Sequence, residues 1–155
     1  MKVLFLCTHN RCRSIIAEAL ARHLDDPQLQ AASAGSAPAG EVHPLTLHYL
    51  EQAGVETQTL ASKGMDDVRD FDPDLVLTLC DSAAGEACPL WLGTALRMHW
   101  GIEDPSRAPE GSDADGAFGT CIDTLRERVA TLAQLANLVD DREALKAALR
   151  EHGAV

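Results

Sequence analysis

Cys7-Thr8-His9-Asn10-Arg11-Cys12-Arg13-Ser14 sets a cysteine six residues ahead of an arginine, with no acidic side chain between them. The spacing is common in proteins; its setting, between an apolar run and a helical pattern, is what gives it chemical meaning. Successive backbone N–H groups entering a helix can cradle an oxyanion, and the fixed guanidinium fork of Arg13 can bind it bidentately. Thr8, His9, Asn10, Arg11, Cys12 and Ser14 are the expected remaining members of that cradle. The same field favours the thiolate at Cys7, because helix N-termini and cations lower a cysteine pKa from about 8.5 into the range of about 3.5–7.5. A thiolate beside a bound oxyanion is a nucleophile. Cys12 is expected to lie beneath the loop and His9 at its surface, since a thiolate already formed needs no base.

The elements around this octapeptide must hold it in place. Lys2 to Leu6 reads as a buried strand ending at Cys7, and from Ser14 the apolar residues Ile15, Ile16, Ala19, Leu20 and Leu24 fall at helical spacing, with Pro27 closing the helix. Leu29 to Ala34 reads as a weaker strand ending in the turn signals Gly35, Pro38 and Gly40. Pro44 suits a first helical position, Leu45 to Ala53 continues that helix, and Gly54 lies just past it. Leu75 to Leu79 and Leu96 to Trp100 are further strands. Ala117 to Val139 is a long amphipathic helix, and Asp141 to Glu151 a short added one. Strands alternating with helices predict an α/β domain, a four-stranded parallel sheet with helices on both faces. Residues 1–140 are read as one domain and 141–155 as its C-terminal helical extension. In open sheets of this kind chemistry sits outside the C-terminal ends of the strands, which is where the Cys7 loop emerges.

Composition narrows the partners. The chain has 155 residues, 46% hydrophobic and 4% aromatic, enough for one core. Its formal charge of -11 argues against a nucleic-acid or anionic-membrane surface. An anionic substrate must then be captured by a local positive pocket, and residues 7–14 are that pocket. No signal peptide and no apolar stretch near the roughly 20 residues of a membrane span are present. Five widely spaced Cys are expected to be reduced thiols in a cytoplasmic protein. No cofactor is expected, and zinc is disfavoured because no Cys-x-x-Cys pair occurs and the His residues are scattered.

Taken together, the Cys7 to Ser14 loop, Ser33-Ala34-Gly35, Leu77-Thr78-Leu79-Cys80, Cys88-Pro89, and His99-Trp100-Gly101 followed by Asp104-Pro105 resemble the arsenate reductases built on the low-molecular-weight protein tyrosine phosphatase fold. The resemblance covers nearly the whole chain. It implies that sheet order is 2-1-3-4, that Cys7 is the nucleophile, Arg13 the oxyanion clamp, Asp104 the general acid, and Cys80 with Cys88 the redox pair. It also implies arsenate as substrate, phosphate or sulfate as competing anions, and a thioredoxin-type reductant in preference to glutathione with a glutaredoxin.

Position supports these assignments. Of three Asp-Pro pairs, Asp26-Pro27 and Asp72-Pro73 precede expected strands, whereas Asp104 follows one and emerges beside the anion loop, where it can protonate a departing oxygen. Cys80 follows its strand as Cys7 follows the first. Neighbouring strands lie about 4.8 Å apart, close to the roughly 4.4–6.8 Å Cα separation of a disulfide. Cys88 would stand about 12 Å from Cys80 if the stretch between them were helical, so that pairing requires the small-residue segment 81–87 to unwind. Cys121 is expected in the core. Two rivals remain: a tyrosine phosphatase, which needs no Cys80 or Cys88, and a non-catalytic oxyanion- or arsenite-binding regulator. One departure from the family pattern is informative. Asn10, Glu18 and Ser33 match positions that hold a monovalent cation in some relatives, but Lys63 stands where those carry an acid, and its ammonium can replace the ion.

Overall fold

The computed structural model describes residues 1–86 and 89–155. Strand β1 (Lys2–Cys7) is followed by helix α1 (Arg13–Leu24), β2 (Gln30–Gly35), α2 (Pro44–Gln52), a 3-10 segment Met65–Phe71, β3 (Leu75–Thr78), the single-turn α3 (Asp81–Ala84), β4 (Leu96–His99), α4 (Ser112–Leu135) and α5 (Arg142–Glu151). All pairings are parallel, in the order β2-β1-β3-β4. Expected and observed boundaries differ by a residue or two, save that α4 begins five residues earlier than its apolar stripe predicts and ends in a 3-10 turn, Ala136–Leu138.

β1 is central, and its run Val3 to Leu6 is apolar on both sides because both faces of the sheet are covered. One face, with Val3, Phe5, Leu75 and Leu77, packs on Ile16 and Leu20 of α1, on Phe118, Leu125, Val129 and Leu132 of α4, and on Leu145 and Leu149 of α5. The other carries Leu4, Leu6 and Val76 and is thinner: Met65, Val68 and Phe71 of the 3-10 helix, with Trp91 and Leu92, cover it. Helix α1 stops at Leu24, three residues short of Pro27, because Asp25 turns left-handed (φ 53°) and closes back on the Arg22 carbonyl. The outer edge of β4 is occupied by the chain's own Val155, which exchanges two backbone hydrogen bonds with His99.

Parallel pairing throughout sends the chain out at the same end of every strand. Cys7, Gly35, Cys80 and the segment after Trp100 therefore all emerge along one edge.

Candidate active site

The loop after β1 is fixed by turning its carbonyls outward. Those of Thr8, His9 and Arg11 accept from the amides of Ala37, Ala39 and His43 at 2.9, 3.0 and 3.0 Å, while the amides of residues 9–13 have no acceptor among the described residues. That combination leaves a concave row of donors at the start of α1, which is an anion-binding surface in its own right. Asn10 holds the turn from within. It is fully buried with φ 44°, a conformation that Asn tolerates better than most residues, and its amide donates to Ser14 Oγ (2.8 Å) and Ser33 Oγ (2.9 Å) while its oxygen accepts from the Lys63 amide (2.7 Å). Gly35 makes the close approach of β2 feasible: a Cβ there would lie 2.5 Å from the Thr8 carbonyl oxygen and 2.9 Å from the Asn10 nitrogen.

Behind the loop, Glu18 is fully buried and ion-paired twice, to Arg22 at 2.7 Å and to Lys63 at 3.3 Å, and it accepts the Ser33 hydroxyl at 2.6 Å. A buried carboxylate is tolerable only when so satisfied. The Lys63 ammonium, also bonded to the Ala61 carbonyl at 2.9 Å, reaches this buried carboxylate from the side of Ser33.

Arg13 opens α1 and lies across the mouth of the loop. Its Nη1 donates to the Ile102 carbonyl (2.9 Å), Nη2 faces Asp104 Oδ2 at 3.6 Å, and its buried Nε–H has no acceptor among the described residues. Asp104, at the start of the turn Pro105–Arg107, accepts both the amide and the hydroxyl of Ser106 at 3.0 and 2.6 Å. Burial pushes its proton affinity up, but the Ser106 bonds and the Arg13 and Arg107 cations outweigh burial and hold the carboxyl below the ordinary range. Asp26 and Asp72 lie elsewhere: each immediately precedes β2 or β3, at the opposite end of the sheet.

Cys7 and Cys80 are in contact, with Ala83 beside them. The contact pulls their proton affinities in opposite directions. The neighbouring Cys80 and burial push the Cys7 thiol up, against the pull of Arg13 and the Ser14 amide. Cys80 is lowered to about 4 by Cys7 and, against burial, by the Thr8 hydroxyl and amide and by the Ala83 amide at 3.4 Å. Cys80 also caps α3, so the Thr8 and Ala83 donors converge on its sulfur. Cys12 and Cys121 are buried and pushed up to about 12 by desolvation, hence inert. His9 lies exposed, its Nδ1 3.1 Å from the Ala37 carbonyl oxygen. Cys88, the expected second member of the redox pair, lies outside the described residues. Cys7 itself opens onto a cavity of about 240 Å³ that Ala83, Glu86 and Pro89 also line.

Two contributors escaped the sequence reading. Glu86, which the Thr8 hydroxyl approaches at 3.4 Å, places an acid beside the loop. His99 joins β4 to α3, with Nδ1 2.8 Å from the Thr78 hydroxyl and Nε2 3.2 Å from Asp81. Glu86 belongs to no spaced motif, and His99, though part of His99-Trp100-Gly101, carries no assigned role there; the available signals were adjacency, Asp81 to Cys80 and His99 to Trp100.

Chemically, the site can hold a tetrahedral oxyanion on backbone amides and a guanidinium, present a sulfur to its centre, supply a carboxyl to a leaving oxygen, and bring a second sulfur onto the first. The low molecular weight phosphotyrosine protein phosphatase family profile matches residues 2–147. The arsenate reductase of Halalkalibacterium halodurans is 33% identical over 134 residues, covering 85% of this chain and 94% of the relative. Among solved structures, an arsenate reductase in the phosphate binding state superposes with a TM-score of 0.71 at 28% identity, covering 86% of this chain and 96% of its own. The thioredoxin-dependent arsenate reductase of Corynebacterium glutamicum does so at 0.67 and 31% identity, covering 88% and 62%. By sequence and by fold the chain belongs to the low molecular weight phosphotyrosine protein phosphatase family, within the group that contains the arsenate reductases.

Proposed function

We propose that this protein reduces arsenate to arsenite through Cys7, Cys80 and Cys88 acting in turn. The observation that carries the proposal is the contact between Cys7 and Cys80 at the mouth of an oxyanion loop. A phosphatase needs the first sulfur, the arginine and the carboxyl, but gains nothing from a second sulfur against its nucleophile.

Arsenate, as the hydrogen-bearing dianion, binds to the amides of residues 9–13 and to Arg13. Its charge draws Arg13 away from Asp104 and raises the proton affinity of that carboxyl, which becomes the acid of the step. Cys7 passes its proton to the neighbouring Cys80 and its sulfur attacks arsenic. A hydroxyl leaves as water with the proton of Asp104, giving a thiol-linked arsenate. Cys80 then attacks the sulfur of Cys7 and releases its proton to an arsenic oxygen. A sulfur–sulfur bond forms, the sulfur–arsenic bond breaks with its electron pair on arsenic, and arsenic departs in the trivalent state, further protonated by water. Cys88 attacks Cys80 and frees Cys7. The resulting Cys80–Cys88 disulfide is reduced by an external dithiol, of thioredoxin type in this reading.

Arsenate given to the fully reduced protein without reductant tests this. One arsenite per chain, with Cys80 and Cys88 recovered as a disulfide-linked peptide pair, is the expected result. Aryl-phosphate hydrolysis without arsenite would assign the site to phosphatase chemistry, and binding without either product to a regulator. Multiple turnover with thioredoxin against glutaredoxin plus glutathione decides the reductant.

A further inference from the structure

A cleft of about 530 Å³ lies apart from Cys7. It runs between the segment 101–108 and α4, with Asp104 on the wall it shares with the candidate active site. A cleft of this size is in the range that holds small organic ligands. Its apolar stretch is formed by Ile102, Pro105 and Ala117, and one side of α4 contributes Thr120, Thr124 and Arg128 at intervals of four residues, which stack along a helix.

Arg128 is the anomaly in this cleft. Its guanidinium lies 5.4 Å from the ring centre of the fully buried Trp100, and Nη1 is sealed from solvent without an acceptor. Arg13, Arg22, Arg69, Arg107 and Arg126 each face a carboxylate, whereas Arg128, like Arg11, Arg97 and Arg150, has no ion pair or side-chain hydrogen bond among the described residues, and of these four it alone has a guanidinium nitrogen sealed from solvent. In a chain of formal charge -11, a half-buried arginine left unpaired is unexpected. Burial without a counter-charge destabilises the cation, and a desolvated cation attracts an incoming anion more strongly than one in water. The opposite wall carries Glu103 and Asp104, with Arg107 already against Asp104, so the cleft repels multiply charged anions and accommodates a single negative charge at the Arg128 end.

We propose that this cleft binds a small organic monocarboxylate, its carboxylate on Arg128 and the Thr124 hydroxyl and its apolar body along Ile102, Pro105 and Ala117. The site is separate from the oxyanion loop and does not depend on the arsenate reading.

Phenylacetate is a suitable probe, and the indole N–H of Trp100 beneath Arg128 is the reporter. Its resonance is distinguished from that of Trp91, the other tryptophan, by Trp91→Phe. Titration of the intact protein in saturating phosphate, which occupies the Cys7 loop, is expected to move the Trp100 signal saturably. Uncharged phenylacetamide should bind at least about tenfold more weakly, the loss typical of one charge-assisted hydrogen bond. Arg128→Gln should show the same loss, and Thr124→Val a smaller one. Equal binding of phenylacetate and phenylacetamide, no saturable shift, or elimination of the shift by phosphate would each overturn the proposal, and the amide comparison needs no variant to fold.

Discussion

Replacing Gly35 by alanine tests whether the oxyanion loop is held by backbone contact across β1 and β2. The added Cβ would stand 2.5 Å from the Thr8 carbonyl oxygen, 2.9 Å from the Asn10 nitrogen and 3.0 Å from the Cys7 carbonyl oxygen, all main-chain atoms with no side-chain rotation to relieve them. Ordinary contact begins at 3.4 Å, so the loop must retreat by close to 0.9 Å at Thr8. Overpacking of this kind costs about 1–3 kcal/mol, a Tm drop of roughly 3–10 °C for a chain of this size. The catalytic effect is larger, because a displacement near 1 Å of positioned groups costs on the order of 100-fold in rate. The assay is kcat/KM for arsenate beside the dissociation constant for phosphate, with Gly64→Ala as the comparison. Gly64 bridges to Gly35 but is extended (φ -86°, ψ 168°), and its added Cβ would meet Pro38 Cγ at 3.5 Å and Asp67 Oδ2 at 3.6 Å, both ordinary contacts. That variant should stay within about 0.5 kcal/mol of the parent. If Gly35→Ala binds phosphate and turns over arsenate within about threefold of the parent, the loop is not rigidly seated on β2 and the geometric reasoning is wrong.

Cys80→Ser should leave arsenate able to form the covalent adduct on Cys7 while abolishing arsenite release; undiminished turnover would remove Cys80 from the scheme. Because the Cys80 thiol is lowered to about 4, its alkylation by iodoacetamide, followed by peptide mapping, should be flat between about pH 6 and 8. A tenfold rise per pH unit would instead mean an ordinary thiol, and Cys12 and Cys121, pushed up to about 12, should stay unlabelled until the protein unfolds. Lys63→Met leaves Glu18 with Arg22 and Ser33 alone and should cost about 1–3 kcal/mol. Potassium should raise the Tm of that variant above its value in sodium while leaving the parent unchanged, and a parent that responds equally would show that Lys63 does not fill the cation position.

Much of this architecture is legible in the sequence because it is written in local periodicity. The apolar run ending at Cys7, the helical spacing from Ile15 and the break at Gly35 place the loop at the C-terminal edge of a parallel sheet, and that edge selects Asp104 over Asp26 and Asp72. Features made by contact between distant segments are not legible in this way. Met65–Phe71 is too short and too polar to show a helical period, so the 3-10 helix that covers the thin face of the sheet leaves no pattern in the sequence. Which sulfur carries the charge depends on what donates to each: Cys80 collects the Thr8 and Ala83 donors only once β3 is seated beside β1, so the cations near Cys7 give an incomplete account. Asn10, Glu18, Ser33 and Lys63 are spread over more than fifty residues, and their association was read from resemblance to relatives, not from spacing.

The contact between His99 and Asp81 gives the short helix beside the active site a mechanical polarity. Asp81 directly follows Cys80 and is moored to a strand of the sheet, whereas the described contacts of the far end, from Gly85 onward, are mainly with its own preceding turn. Under the proposed relay this mooring keeps Cys80 against Cys7 whatever the rest of the segment does. A tether of a single imidazole thus anchors the one sulfur of the pair that cannot leave its neighbour.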